Sequence, residues 1–292
     1  SQNRMMNFKP ISLADKPAFD AAETENPSES SERTFAVNYA YAEDYKTLVA
    51  PWRGRIAVLH PEKRILHYPI GKTVSPRELL EYATDVAASG YAFEYIYDTP
   101  PEFPQTYPDA EKLFDIMENE GEFDYIFDLS NLEEMKGAVL RKKRNLIKHF
   151  ETEHPDWTTE DIDGGNIAQA REFALETAAD FDISAITRCF DAFEQMRLSG
   201  LLLRDENGKI VGLSVFSQIT ADMFDVLFEK SDKTEKGAAQ MLVKLETEFL
   251  IKQNALYMNR EQDLGEPNLR QAKKSLDPSR MYKRLSVVPK TL

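Results

Sequence analysis

Three groups of side chains in this sequence have the types and spacing to do chemistry. The first is Glu229 and Lys230, which close the run MFDVLFEK over 223–230. Period-2 alternation predicts a strand with Phe224, Val226, Phe228 and Lys230 on one face. Met223, Asp225, Leu227 and Glu229 take the other. Both charged residues then stand at the carboxyl end of a strand, just before a helix opening at Gly237, where α/β sheets bind ligands. The second group is Asn259, Glu261 and Asp263, which alternate off the end of a short strand over 255–259. Two carboxylates and an amide are a thin ligand set for a hard cation, so no metal is expected. They are expected to orient an amine or a ribose, or to pair with Arg270, Lys273 or Lys274.

The third group is cationic. Arg141, Lys142, Lys143 and Arg144 fall in a segment read as one helix over 131–153, capped by Ser130 with Glu133 three residues on. Leu132, Met135, Val139, Leu140, Leu146, Ile147 and Phe150 lie on one arc of that helix, and Arg141, Arg144 and Lys148 lie opposite. Lys143 falls inside the apolar arc, so it must snorkel, pair with a carboxylate, or line a cavity that holds an anion. A second basic stretch comprises Arg270, Lys273, Lys274, Arg280, Lys283 and Arg284, opposed only by Asp277. Solvated faces and surface ion pairs have the same appearance in sequence.

The elements that must position these groups follow from the rest of the chain. Its 292 residues are 42% hydrophobic, enough to build a core and exclude wholesale disorder. Strand-rich stretches crossed by single helices indicate a mixed α/β fold. The sequence predicts a hairpin over 55–69 and a helix opened by Ser75 and Pro76 that stops at Gly90. It predicts a helix over 109–119, strands over 122–129 and 157–162, and helices over 166–179 and 182–196. A hairpin over 198–218, a helix over 237–254, a short helix over 269–275 and a terminal strand over 281–287 complete the series. Residues 1–33 read as a flexible acidic segment docked through Phe19, followed by subdomains over 34–153 and 154–292.

Composition also sets the address. The formal net charge of −14 argues against nucleic-acid or membrane binding by the whole surface and leaves only local basic patches. No stretch approaches the roughly 18 apolar residues of a membrane span, and no signal-peptide run opens the sequence, so a cytoplasmic protein is expected. The single cysteine, Cys189, excludes an intramolecular disulfide framework and reads as a core residue. The four histidines have no metal-ligand spacing.

Four blocks in order carry a resemblance: LEEMKG…RKKRN…F (132–150), FEK (228–230), MNREQDLG (258–265) and LRQAKKSLDP (269–278). They resemble the phosphatidylglycerol lysyltransferase C-terminal domain family, and more closely its short stand-alone bacterial members. The resemblance implies two tandem GNAT-like subdomains, akin to the Fem peptidyltransferases and to enzymes that move aminoacyl groups from tRNA. Its matched positions are Lys143, Arg144, Asn145, Glu229, Lys230, Asn259, Arg260, Glu261, Asp263, Gly265, Arg270 and Lys273. The implied activity is acyl or aminoacyl transfer from an activated ester, aminoacyl-tRNA being favoured, to an amine or hydroxyl. Glu229 or Glu261 would be general base, with Lys143, Arg144, Lys230 and Arg270 on the donor's phosphates.

The chain has no counterpart of the membrane-embedded portion of the lipid-modifying members, so a phospholipid acceptor is not the expected one. GNAT enzymes place Gln/Arg-x-x-Gly-x-Gly/Ala at a strand-to-helix turn to hold the coenzyme A pyrophosphate. Thr234 stands here in the cationic position before Gly237, so coenzyme A is the less favoured donor. The other readings are a non-catalytic module binding a nucleotide or amino acid, and a coenzyme A-dependent N-acetyltransferase.

Overall fold

In the computed structural model, which describes residues 5–292, the chain forms two seven-stranded sheets and divides into two units. Among the described residues the first unit comprises 5–123 and 282–292, the second 124–281. The boundary therefore falls near 123 rather than at 153, and the basic helix belongs to the second unit. The expected terminal strand is two strands, Arg280–Tyr282 in the second sheet and Leu285–Pro289 in the first.

In the first unit the opening segment is not loose. Helix α1 (Lys16–Glu25) buries Phe19 completely, with its ring 5.7 Å from that of Phe35. The predicted hairpin is present, Arg55–His60 pairing antiparallel with β1 (Ile65–His67). Helix α2 (Pro76–Ala88) starts where local chemistry dictates: Ser75 and Glu78 form the reciprocal capping box, with proline in the first turn. It leads to β2 (Tyr95–Thr99), parallel to β1. The helix expected over 109–119 stops at Leu113, because Phe114–Glu118 pairs instead with Leu285–Pro289. Leu59, Leu66, Leu79, Tyr82, Val86 and Ile96 form the core of this unit.

In the second unit β3 (Asp124–Asp128) runs into a short helix, α3 (Leu129–Glu133). Asp128, not Ser130, is its N-cap residue. The single helix expected over 131–153 is broken, because Met135 and Gly137 take left-handed backbone conformations (φ 47° and 92°). Glycine meets that demand without strain. The basic run then opens α4 (Arg141–Glu153). Val139, off the helix, is 64% exposed, while Leu132, Met135, Leu140, Ile147 and Phe150 are buried.

The hairpin β4 (Ser199–Arg204) and β5 (Ile210–Gln218) continues into β6 (Met223–Ser231). Helix α5 (Ala238–Lys252) follows, then β7 (Tyr257–Asn259) and α6 (Pro267–Lys274). β7 lies between β6 and β3. Met241, Leu242 and Leu245 of α5 pack with Phe216, Phe224, Val226 and Phe150 in the core.

Candidate active site

The parallel pair β6–β7 holds together for three residues, Met223↔Tyr257, Phe224↔Met258 and Asp225↔Asn259. Beyond them β7 ends and β6 runs on to Ser231, so the strands part. A cavity of about 370 Å³ opens there, walled by β6, the first turns of α5, the loop after β7, and α6. Its apolar lining includes Val226, Leu227, Val243 and Leu276, and its polar lining includes Lys143, Glu229, Arg260, Glu261, Gln262 and Lys273.

Glu229 reaches this cavity through an irregularity. In the β5–β6 register Val215 faces Phe228 and Phe216 faces Val226, so Leu227 is an extra, bulged residue. The bulge reverses the expected alternation beyond it. Glu229 pairs with Ser214, whose hydroxyl donates to Glu246 of α5 at 2.5 Å. It therefore shares the α5 side with Phe224 and Val226 instead of the side of Asp225.

Arg260 organises the first charged cluster. Its side chain is 10% exposed, with Nη2 donating to Glu229 at 2.6 Å and Nη1 to Glu246 at 2.8 Å. The two glutamates respond oppositely. Burial, then the charge of Glu229, pushes the fully buried Glu246 carboxyl well above the carboxylate range, so it keeps its proton and hydrogen-bonds to Glu229 through it. Burial also works to raise Glu229. There Arg260 and the hydrogen bonds with Glu246 and Arg260 outweigh it and hold that carboxyl below its ordinary value. The result is a neutral acid beside a carboxylate, both fixed on one guanidinium.

A second cluster surrounds Lys273. Asp225 is fully buried, and burial followed by the negative charge of Glu261 drives its carboxyl well up. Asp225 therefore keeps its proton. Burial, then the positive charge of Arg260, lowers the Lys273 ammonium to about 8, against the opposing pull of Glu261, Glu229 and Asp225. Its Nζ donates to the Arg260 carbonyl and lies 5.9 Å from the centre of the Tyr125 ring. Lys143 also lines the cavity, as one of the alternatives for an apolar-arc lysine required, and burial followed by Lys142 lowers its ammonium.

Other predicted residues build the scaffold and stay out of the lining. Asn259 and Asp263 do not project beside Glu261, because the strand ends at Asn259 and the backbone turns left-handed at Glu261 (φ 61°) and Leu264 (φ 56°). Asn259 donates to Asp124 at 3.1 Å and accepts the Glu261 N–H at 2.8 Å. Asp263 accepts from Tyr125 at 2.6 Å and from Arg270 at 2.9 and 3.2 Å. Burial alone would raise its carboxyl, but Arg270, Tyr125 and the Gly265 N–H outweigh that and bring it to about 2. Arg270 is thus engaged by Asp263.

Lys230 pairs with Asp182 at 2.6 Å. Arg144 donates to the carbonyls of Met135 and Gly137, tying down the break before α4, and Asn145 is exposed. Of the second basic stretch, Arg284 is buried in the first unit on Asp98.

Glu246 escaped the sequence reading, although its position carries a signal. It lies four residues after Leu242 and four before Leu250, both fully buried, so an acid stands in the middle of the apolar stripe of α5. Asp225, flanked by apolar residues in mid-strand, carries a similar one.

α4 passes close to one side of the turn before α5. Gly237 takes φ 86°, and a Cβ there would run into the Leu146 carbonyl oxygen of α4, so only glycine fits.

A family model described as "Phosphatidylglycerol lysyltransferase, C-terminal" matches residues 27–287. The chain belongs to that family. Among solved structures, a conserved protein of unknown function from Bacteroides thetaiotaomicron superposes with a TM-score of 0.88 at 24% identity, over 98% of this chain and 100% of that one. The L-PGS from Bacillus licheniformis gives 0.64 at 13% identity, over 97% and 93%. FemX gives 0.64 at 11% identity, over 97% of each chain. No curated protein matches the sequence. The lysyltransferase-family domain has the tandem GNAT-like fold that the resemblance implied, each unit carrying a parallel strand–helix–strand. Among its described residues no helix is long and apolar enough to cross a membrane.

Proposed function

We propose that the second unit transfers an acyl or aminoacyl group from an activated ester to an amine or hydroxyl acceptor. The observation that carries this reading is the gathering of Lys143, Arg260 and Lys273 around Glu229 and Glu261 where β6 and β7 part, in a chain of this family. The acceptor's nitrogen or oxygen attacks the ester carbonyl carbon. The new bond forms as the ester C–O bond breaks, the acceptor's proton passes to a carboxylate, and the departing oxygen takes a proton.

Glu261 suits the base better than Glu229, because Arg260 and Glu246 hold the Glu229 carboxyl below its ordinary value and so make it a weak base. Lys273, with its ammonium lowered to about 8, suits the proton donor to the leaving oxygen. Arg260 and Lys143 supply positive charge for the developing oxyanion and the donor's phosphate.

Aminoacyl-tRNA is favoured as donor over coenzyme A for two reasons. Thr234 stands in the cationic position before Gly237, and Arg141, Lys142 and Lys148 expose charge along α4. Such a donor puts the activity in the cytoplasm.

The test assays Glu229→Gln and Glu261→Gln separately with aminoacyl-tRNA and a panel of amine and hydroxyl acceptors. Each should lower turnover, Glu261→Gln by about 10²–10⁴-fold. Unchanged turnover in both refutes the assignment. The tRNA itself is tested with Arg141→Glu/Lys148→Glu, which spares the structural Arg144. Salt-sensitive retention of tRNA should be lost. Stabilisation by coenzyme A with retention unaffected points to the N-acetyltransferase reading. Stabilisation by an amino acid without turnover points to a binding module.

A further inference from the structure

The first unit repeats the parting of strands. β1 and β2 pair in parallel through Ile65↔Tyr95, Leu66↔Ile96 and His67↔Tyr97, and β1 then ends. A cavity of about 410 Å³ lies beyond the pair. It is walled by Tyr68 and Thr73 after β1, by Glu102 after β2, and by Glu29, Arg33 and Tyr282.

Arg33 is the unusual member. It is only 4% exposed, yet Nε and Nη1 are buried without a hydrogen-bond partner. Nη2 alone is satisfied, donating to the carbonyls of Pro69 and Gly71 at 3.2 and 3.4 Å. The guanidinium lies 5.7 Å from the centre of the Tyr68 ring.

The neighbouring charges do not neutralise it. Asp98 is taken by Arg284 at 2.8 Å and by the Ser30 hydroxyl at 2.7 Å. Both carboxyl oxygens of Glu23 are buried without a hydrogen-bond partner. Burial, opposed by Arg33 and reinforced by Asp98 and Asp20, brings Glu23 to about 8, so it is mostly neutral at pH 7. A buried guanidinium with unsatisfied N–H groups is costly, and an anion entering the cavity would relieve that deficit. Glu29 and Glu102 on the same wall would repel a second negative group and attract a positive one.

We propose that this cavity binds a small zwitterion, its carboxylate or phosphate on Arg33, its ammonium toward Glu29 and Glu102, and its body against Tyr68 and Tyr282. The two sources of that chemistry are a free α-amino acid and the phosphate ester of an amino alcohol. The site is separate from the transfer cleft and does not depend on the reading given to that cleft.

Isothermal titration of the full chain with individual amino acids, O-phosphoethanolamine and inorganic phosphate tests this, and the first two arms distinguish the sources. At least one zwitterion should bind at millimolar concentration or below. Arg33→Met should weaken it tenfold or more, Arg33→Lys less, and Glu261→Gln should leave it unchanged. Should Arg33→Met fail to fold, Glu102→Lys on the exposed rim serves instead, weakening the zwitterion while leaving inorganic phosphate as tight or tighter. Overturning results are no binding by wild-type protein, inorganic phosphate as the sole binder, or undiminished zwitterion binding in Arg33→Met or, as its substitute, Glu102→Lys. Loss of binding in Glu261→Gln would move the ligand to the transfer cleft and overturn the proposal without touching the transfer reading.

Discussion

The two units use one backbone device with different charges upon it. In each, a strand, a helix and a parallel strand pair over three residues and then separate, leaving a cavity past the last paired position. In the second unit the charges around that gap are poised. Arg260 is shared between a carboxylate and a neutral acid, and Lys273 sits close to losing its proton. In the first unit the strongest pair is locked. Arg284 and Asp98, with side chains 1% and 2% exposed, are joined at 2.8 Å, and Arg284 also donates to Ser30 at 3.0 Å and to the Glu122 carbonyl. The fold supplies an opening at the strand ends; the side chains decide whether it holds protons in balance or merely holds the chain together.

Removing the central arginine from each unit is the strongest way to break this comparison. Arg284→Met leaves Asp98 buried and unpaired and should cost about 3–5 kcal/mol in denaturant unfolding. Arg260→Met should cost less, about 1–3 kcal/mol, because Glu246 is already neutral and Glu229 can take up a proton. Equal losses would mean that the second cluster is as locked as the first.

A smaller effect sharpens the contrast through pH. Burial lowers Lys273 from 10.5 in the unfolded chain to about 8 in the fold, so between those values the unfolded chain binds more protons. The penalty is fully present below pH 8, and stability relative to Lys273→Met should rise as pH goes from 8 to 10.5. Amine-reactive labelling of Lys273, followed by mass spectrometry, should be half-maximal near pH 8. The smallest effect is at Asn145, exposed on α4. Asn145→Ala should stay within about 0.5 kcal/mol of wild type and leave transfer unchanged, whereas Lys143→Ala, two residues away, should weaken donor binding.

What could be read in the sequence was what local chemistry controls. Ser75, Pro76 and Glu78 announce α2, and the hairpins and the strand–helix–strand around Gly237 follow from periodicity and turn residues. Glu229 and Glu261 could be singled out from strand ends, Lys143 from its place on an apolar arc, and Lys273 from the second basic stretch and the family resemblance. The failures came where a distant partner or one backbone angle decided. Phe114–Glu118 is a strand because Leu285–Pro289 pairs with it from the far end of the chain. The helix over 131–153 is interrupted because Arg144 satisfies carbonyls freed by the left-handed turn at Met135 and Gly137, while the hydrophobic spacing runs on as though unbroken. Arg270 and Asp263 belong to the scaffold because Tyr125, on another strand, completes their cluster.

The extra residue at Leu227 makes this stretch of chain sensitive to register as well as to composition. Deleting Leu227 would straighten the ladder yet leave Glu229 opposite Ser214 on the side of Arg260, whereas a straight ladder that kept all nine residues of the strand would turn Glu229 to the side of Asp225. Among homologues, a one-residue gap at this position is therefore compatible with an intact centre, and the pairing register has to be read together with the charged letters.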